Sequence, residues 1–212
     1  MAERQSVTTF VMGHHLPWPV DASVADAGGV LDEASLFAVG QSATCSLFNI
    51  SPLGTTVRGV GGRAVGEEVA VELATGQRVA GVIDWTRGDE AGVRFRQPID
   101  MVALLNRKLV AQASERRKMP RVELRCPVGI KWGGNAVTAT LRNISAQGLQ
   151  IEGDGLPPRD TFVSLFVDGL NLPSGEVMWQ RGPLVGIELM EELAWSSLMP
   201  WIRETHRLAS AA

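Results

Sequence analysis

The hexad NISPLG at residues 49–54 returns as NISAQG at residues 143–148, and the forward step of 94 residues that relates them carries more than the hexad. It takes Asn49 to Asn143, Ser51 to Ser145, Gly54 to Gly148, Gly81 to Gly175, Trp85 to Trp179, Arg87 to Arg181, Gly88 to Gly182 and Gly92 to Gly186. Two glycine-rich loops that resembled each other by chance would not hold one register without a gap from residue 49 to residue 92. The pattern therefore reads as two copies of one domain, and a unit of this length is a domain rather than a solenoid repeat. A chain of 212 residues with 45% hydrophobic content has enough apolar surface to fill two such cores.

The second copy is written in strands. In RVELRCPVGIKW, Val122, Leu124, Cys126, Val128, Ile130 and Trp132 alternate with polar or small residues, the period of a strand with one buried face. GGN reads as a hairpin turn and AVTATLR as the returning strand. LQIE, FVSLFV, EVMW and LVGIEL follow, separated by Gly, Pro, Asp and Asn clusters, which brings the total to about six strands. Short strands at this spacing predict an antiparallel barrel, an arrangement that leaves no open sheet edge. The first copy has matching runs at ATCSLF, TTVRG, EVAVEL, RVAGVIDW and AGVRF, with an opening strand somewhere in residues 16–40.

Each barrel is expected to close on a helix. PIDMVALLNRKLVAQASERRK opens with Pro98 and spaces Val102, Leu105 and Leu109 along one face, and Pro120 sets its limit. EELAWSSLMPWIRETHRLA places Trp195, Leu198 and Ile202 on one side, with a break or kink expected near Pro200. The fold class is thus all-β with flanking helices: two tandem antiparallel six-stranded β-barrels, each followed by an α-helix. The expected layout is a flexible N-terminal arm over 1–14, a first barrel over 15–97, an interdomain helix over 98–113 and a second barrel with its helix over 114–212; His14 and His15, at the end of the arm, have no partner cluster in the sequence. His206 is expected on the surface of the last helix, and Trp85 and Trp179 are expected in the barrel cores.

Composition narrows the function. Cys45 and Cys126 lie far apart at apolar positions of alternating segments, which suits a reduced cytoplasmic protein. No basic N-terminus precedes an apolar run, and no stretch of 18 apolar residues occurs, so neither a signal peptide nor a membrane span is expected. Net charge is −3, but residues 107–125 alone carry +5 and the remainder −8. Positive charge gathered in one short segment suits a compact anion site better than a nucleic-acid track, which spreads Lys and Arg over a face. No nucleophile with a base and an orienting group, no metal-ligand spacing and no phosphate loop is written here, so no enzyme activity is expected.

Within the basic segment, Arg117 and Arg121 form an Arg-x-x-x-Arg pair with Arg116 beside it, ahead of a long strand and upstream of NISAQG. A guanidinium can fork onto phosphate or onto the O6 and N7 edge of guanine, and its face can stack on a base. Asn143 and Ser145 would add directed hydrogen bonds, and Gly148 would allow a tight turn or close backbone approach.

Arg117-x-x-x-Arg121, Asn143-x-Ser145-x-x-Gly148 and the later GEVMWQRGPLVGIEL together resemble the PilZ domain, a bacterial receptor module for cyclic di-GMP, over roughly residues 114–205. The first copy, above all GVIDWTRGDEAGVRF, resembles the same fold over about residues 15–100. The resemblance implies that Arg117 and Arg121 grip guanines and phosphates of the ligand, and that Arg116 is the extra arginine linked to binding two stacked ligand molecules. It implies that Asn143, Ser145 and Gly148 hold the other side of a guanine. Cyclic di-GMP is then a ligand, with no cofactor or metal. The first copy departs from the pattern, since no arginine lies between Arg4 and Arg58, and it is expected to bind poorly or not at all.

The leading expectation is a non-catalytic sensor that passes the signal on through domain arrangement or a protein partner, with motility, attachment or exopolysaccharide as the family's outputs. The alternative is a nucleotide-independent adaptor. Single-stranded nucleic acid is disfavoured by the −8 balance and the absence of Tyr.

Overall fold

The structure is a computed structural model that describes residues 8–17, 31–111 and 121–211. The chain divides into two compact units, Met1–Arg121 and Val122–Ala212. The expected boundary at 113/114 falls outside the described residues.

The first unit contains β1 (Thr9–Val11), β2 (Asp32–Ala38), β3 (Gln41–Ser51), β4 (Gly54–Arg58), β5 (Glu68–Leu73), β6 (Arg78–Arg87), β7 (Glu90–Phe95) and α1 (Met101–Ala111). Antiparallel pairings run β2–β3–β4–β7–β6–β5 and return to β2, a ring of six strands. Alternation fills its interior: Leu36, Val57, Val71, Ile83 and Val93 are almost fully buried. Asp100 caps α1, its Oδ1 accepting the Ala103 N–H at 3.0 Å. Met101, Leu104 and Leu105 form the buried face of that helix.

The second unit is built from β8 (Arg121–Trp132), β9 (Asn135–Ile144), β10 (Gly148–Glu152), β11 (Phe162–Phe166), β12 (Gly175–Arg181), β13 (Leu184–Leu189) and α2 (Trp195–Ala211). The sequence β8–β9–β10–β13–β12–β11, returning to β8, is a closed six-stranded antiparallel barrel followed by a C-terminal helix. Gly133 and Gly134 both take positive φ, 48° and 86°, between paired Trp132 and Asn135, as a two-residue primed turn requires. Val128, Ile130, Leu141, Ile144, Ile151, Val177 and Val185 fill the core, each contributing about 1.5–3 kcal/mol relative to exposure.

The step of 94 residues reappears in hydrogen bonds. Gly59 N–H to Asp89 O matches Gly153 N–H to Pro183 O, and Phe95 N–H to Leu53 O matches Leu189 N–H to Gln147 O. Ile99 N–H to Pro52 O matches Leu193 N–H to Ala146 O. Gly66 N–H to Ile83 O matches Asp160 N–H to Val177 O, where Asp160 adopts the left-handed φ that Gly66 has. Met101 and Trp195, the first helical residues, are related by the same step.

Four expectations need correction. The arm expected over 1–14 includes β1, which pairs in parallel with β3 and whose Phe10 and Val11 are buried; residues 1–7 lie outside the described part. The helix expected over 98–113, with Pro98 as an early helical residue, begins at Met101, and Asp100 caps it. α2 is continuous through Pro200, so the break expected there does not occur; the carbonyl that loses its helical donor is that of Ser196, and both residues face solvent. Trp85 and Trp179 are half-buried rather than core. Strict alternation would have put Trp85 on the face of Val79 and Ile83. The register slips by one between Ile83 and Trp85, and again between Val177 and Trp179, which turns each indole to the opposite face. There each ring lies over a glycine, Gly92 or Gly186, where a Cβ would collide with the indole.

Candidate functional site

The site starts at the β9–β10 connection. Asn143, next to last in β9, faces Glu123 on β8 and Gln150 on β10. Its Nδ2 donates to Gln150 Oε1 at 2.5 Å, which leaves the amide a second N–H and an acceptor oxygen at a half-exposed position. Gln150 is itself 6% exposed, so the Asn143 amide is held by a side chain that is fixed in place. Beside it, Arg142 is paired with Glu152, which cancels its charge locally.

Ser145 and Gly148 shape the turn. The Ser145 N–H donates to the Gly148 carbonyl at 2.8 Å, and Ser145 Oγ donates to the same oxygen at 3.2 Å. A Cβ on Gly148 would stand 2.5 Å from the Ile187 carbonyl oxygen, so the close approach of β10 to β13 needs a glycine here. Gln147 Nε2 donates to Glu192 Oε1 at 2.9 Å.

Arg121, the first residue of β8 and the last of the first unit, is half-buried, and its backbone N–H donates to the Thr8 carbonyl at 3.3 Å. It directly precedes Val122, which pairs with Ile144. Arg116 and Arg117 lie outside the described residues. Of the residues expected to form the site, Asn143, Ser145 and Gly148 meet in one turn. Gln150 went unnoticed in the sequence. The hairpin register that pairs Leu149 with Ile144 also sets Gln150 opposite Asn143, and that was the signal available.

The matching turn of the first unit has the same skeleton. Ser51 Oγ donates to Gly54 O at 3.3 Å and accepts the Leu53 and Gly54 N–H groups, each at 3.2 Å. A Cβ on Gly54 would collide with the Val93 carbonyl oxygen. The surroundings differ. Asn49 is 7% exposed where Asn143 is half-exposed, and Thr56 stands where the second unit has Gln150.

Burial pushes the Cys45 and Cys126 thiols up to about 11, so both are neutral packing groups. Among the described residues no group of three or more His, Cys, Asp or Glu is placed to hold a metal ion, and no helix is long and apolar enough to cross a membrane. A groove of about 520 Å³ in the second unit, lined by Pro127, Phe166, Trp201 and Leu208 with Arg125 and Asp168, shares no residue with the Asn-x-Ser-x-x-Gly turn.

The second unit is therefore a closed antiparallel barrel with a polar turn beside the entrance to its first strand. The sequence profile of the PilZ domain matches residues 115–194. Distant likenesses among solved structures include the PlzA protein of Borreliella burgdorferi in complex with cyclic di-GMP, at 10% identity and TM-score 0.31, covering 80% of this chain and 85% of that one. The Bacillus subtilis inhibitor of motility stands at 16% identity and TM-score 0.32, covering 85% and 97%. YcgR of Escherichia coli in complex with cyclic di-GMP stands at 13% identity and TM-score 0.26, covering 85% and 83%. No curated protein matches the sequence.

Proposed function

We propose that this chain is a non-catalytic cyclic di-GMP receptor whose second unit holds the ligand through Arg116, Arg117, Arg121, Asn143, Ser145 and Gly148. The observation that carries this reading is that the PilZ match, residues 115–194, spans all six. The arginines supply permanent charge for the phosphates and forks or stacking faces for the guanines. Asn143, oriented by Gln150, offers a donor and an acceptor to a purine edge. Ser145 and Gly148 contribute their part of the site while also holding the turn that presents Asn143. The first unit is a degenerate second copy of the same domain, retaining the turn but no arginine pair, and it binds no nucleotide. The receptor is a cytoplasmic tandem protein that hands the signal to a protein partner, or to a changed arrangement of its two domains, through different affinity of the ligand for two states.

One observation favours the adaptor reading: Ser51 and Ser145 each donate from Oγ to the motif glycine's carbonyl, and a Cβ on Gly54 or Gly148 would meet a neighbouring carbonyl oxygen, so these residues alone do not mark a ligand site. Isothermal titration of the full chain with cyclic di-GMP separates the two. Saturable heat that is lost in Arg117→Ala and Arg121→Ala supports the receptor; no heat from the wild type supports the adaptor.

A further inference from the structure

In the second unit the entrance of β8 flanks the turn: Val122 pairs with Ile144 and Glu123 with Asn143, both antiparallel. Stepping back by 94 residues, β2 ought to reach Ile50 and Asn49 in the same way. Among the described residues, β2 pairs with β3 from Asp32, opposite Leu47, onward. The two positions are instead taken by β1, which runs parallel to β3 with Thr9 opposite Asn49 and Phe10 opposite Ile50.

Three further contacts fix β1 and its continuation there. Thr8, fully buried, donates from Oγ1 to the Leu47 carbonyl at 2.8 Å and accepts the Asp32 N–H at 2.7 Å, which ties the first residue of β2 to the residue that leads into β1. Leu16 reaches the motif glycine, its Cδ2 lying 2.9 Å from where a Cβ of Gly54 would be. Phe10, Val11 and Met12 are each 3% exposed or less.

We infer that the face of the first unit corresponding to the second unit's ligand turn is a strand-docking surface whose resident occupant is the chain's own segment 8–17. β1 adds to the free end of β3 by main-chain pairing, the mode by which peptides extend sheet edges, and Leu16 closes over the motif glycine. The occupant pairs with β3 at Asn49 and Ile50 and blocks that face to any other guest. This inference concerns the first unit alone and stands whether or not the second unit binds nucleotide.

The test is amide hydrogen exchange of the segment around residues 47–51, in full-length protein, in a variant lacking residues 2–17 and in full-length Phe10→Asp. Docking predicts that exchange there rises ~10-fold or more in both variants. A peptide of residues 6–17, added in excess to the truncated protein, should restore protection, and the same peptide carrying Phe10→Asp should not. Unchanged exchange at 47–51 in the full-length Phe10→Asp protein overturns the inference, and so does a truncated protein whose protection is native without peptide. Should the truncated protein fail to fold alone, recovery of the native exchange pattern on refolding with the wild-type peptide supports docking, and failure to recover it counts against docking.

Discussion

Replacing Gly148 by Ala isolates what the repeated hexad does. The added methyl would meet the Ile187 carbonyl oxygen at 2.5 Å, about 1 Å short of ordinary van der Waals contact. The obstacle is backbone, held in the β10–β13 ladder where Leu149 pairs with Ile187 and Gly148 with Glu188, so no side chain can swing aside. Relief requires the two strands to part, and overpacking of this kind costs about 1–3 kcal/mol. In a unit of this size, Val122–Ala212, each kcal/mol lowers the midpoint by roughly 4–8 °C, which gives a loss of about 4–24 °C for the second unit. Gly54→Ala meets the corresponding carbonyl of Val93 and should cost the first unit a similar amount. Differential scanning calorimetry on both variants measures this. A Gly148→Ala protein that melts with the wild type, while losing only ligand affinity, would refute the structural role and make the glycine a ligand contact.

Gln150→Leu removes the acceptor that holds the Asn143 amide and should weaken cyclic di-GMP binding by about 5–15-fold by titration calorimetry, with conservative Gln150→Glu losing less. Asp100→Ala takes away the α1 cap and should destabilise the first unit by about 0.5–2 kcal/mol in urea unfolding. Cys45 and Cys126 have folded-state values raised from 9.0 to about 11. Their protonated thiols therefore favour the native state fully below pH 9, and that contribution is lost as pH rises from 9 towards 11. Unfolding midpoints of the wild type should fall across that window more than those of a Cys45→Ala, Cys126→Ala double variant. Equal slopes would mean the thiols are not held neutral by the fold.

Most of the barrel framework could be read from the sequence because it is written in local terms. The stretch RVELRCPVGIKW coincides with the extent of β8, and the Gly133–Gly134 turn follows from the only residue type that takes positive φ without strain. β1 could not be read this way. Its three residues, Thr9–Val11, carry no period of their own, and their structure comes from pairing with residues some 40 positions later in the chain. The indoles were misplaced because a strand period predicts faces only up to the first bulge, and the bulges at Asp84 and Met178 lie one residue before each Trp. Of the site, the turn residues were legible as a motif, whereas the contact that orients Asn143 appears only once β9 and β10 are in register. The difference between the two hexads was visible as missing arginines. That the first one is also covered, by β1 and Leu16, is a tertiary fact.

The most direct test sets the two asparagines against each other: titration of cyclic di-GMP into full-length Asn49→Ala and Asn143→Ala, beside the wild type. The account predicts wild-type affinity in Asn49→Ala and a loss of about 10-fold or more in Asn143→Ala, as expected for removing hydrogen bonds to a bound base. Equal weakening in both variants, or unchanged affinity in Asn143→Ala, would contradict the claim that the second unit alone binds the nucleotide.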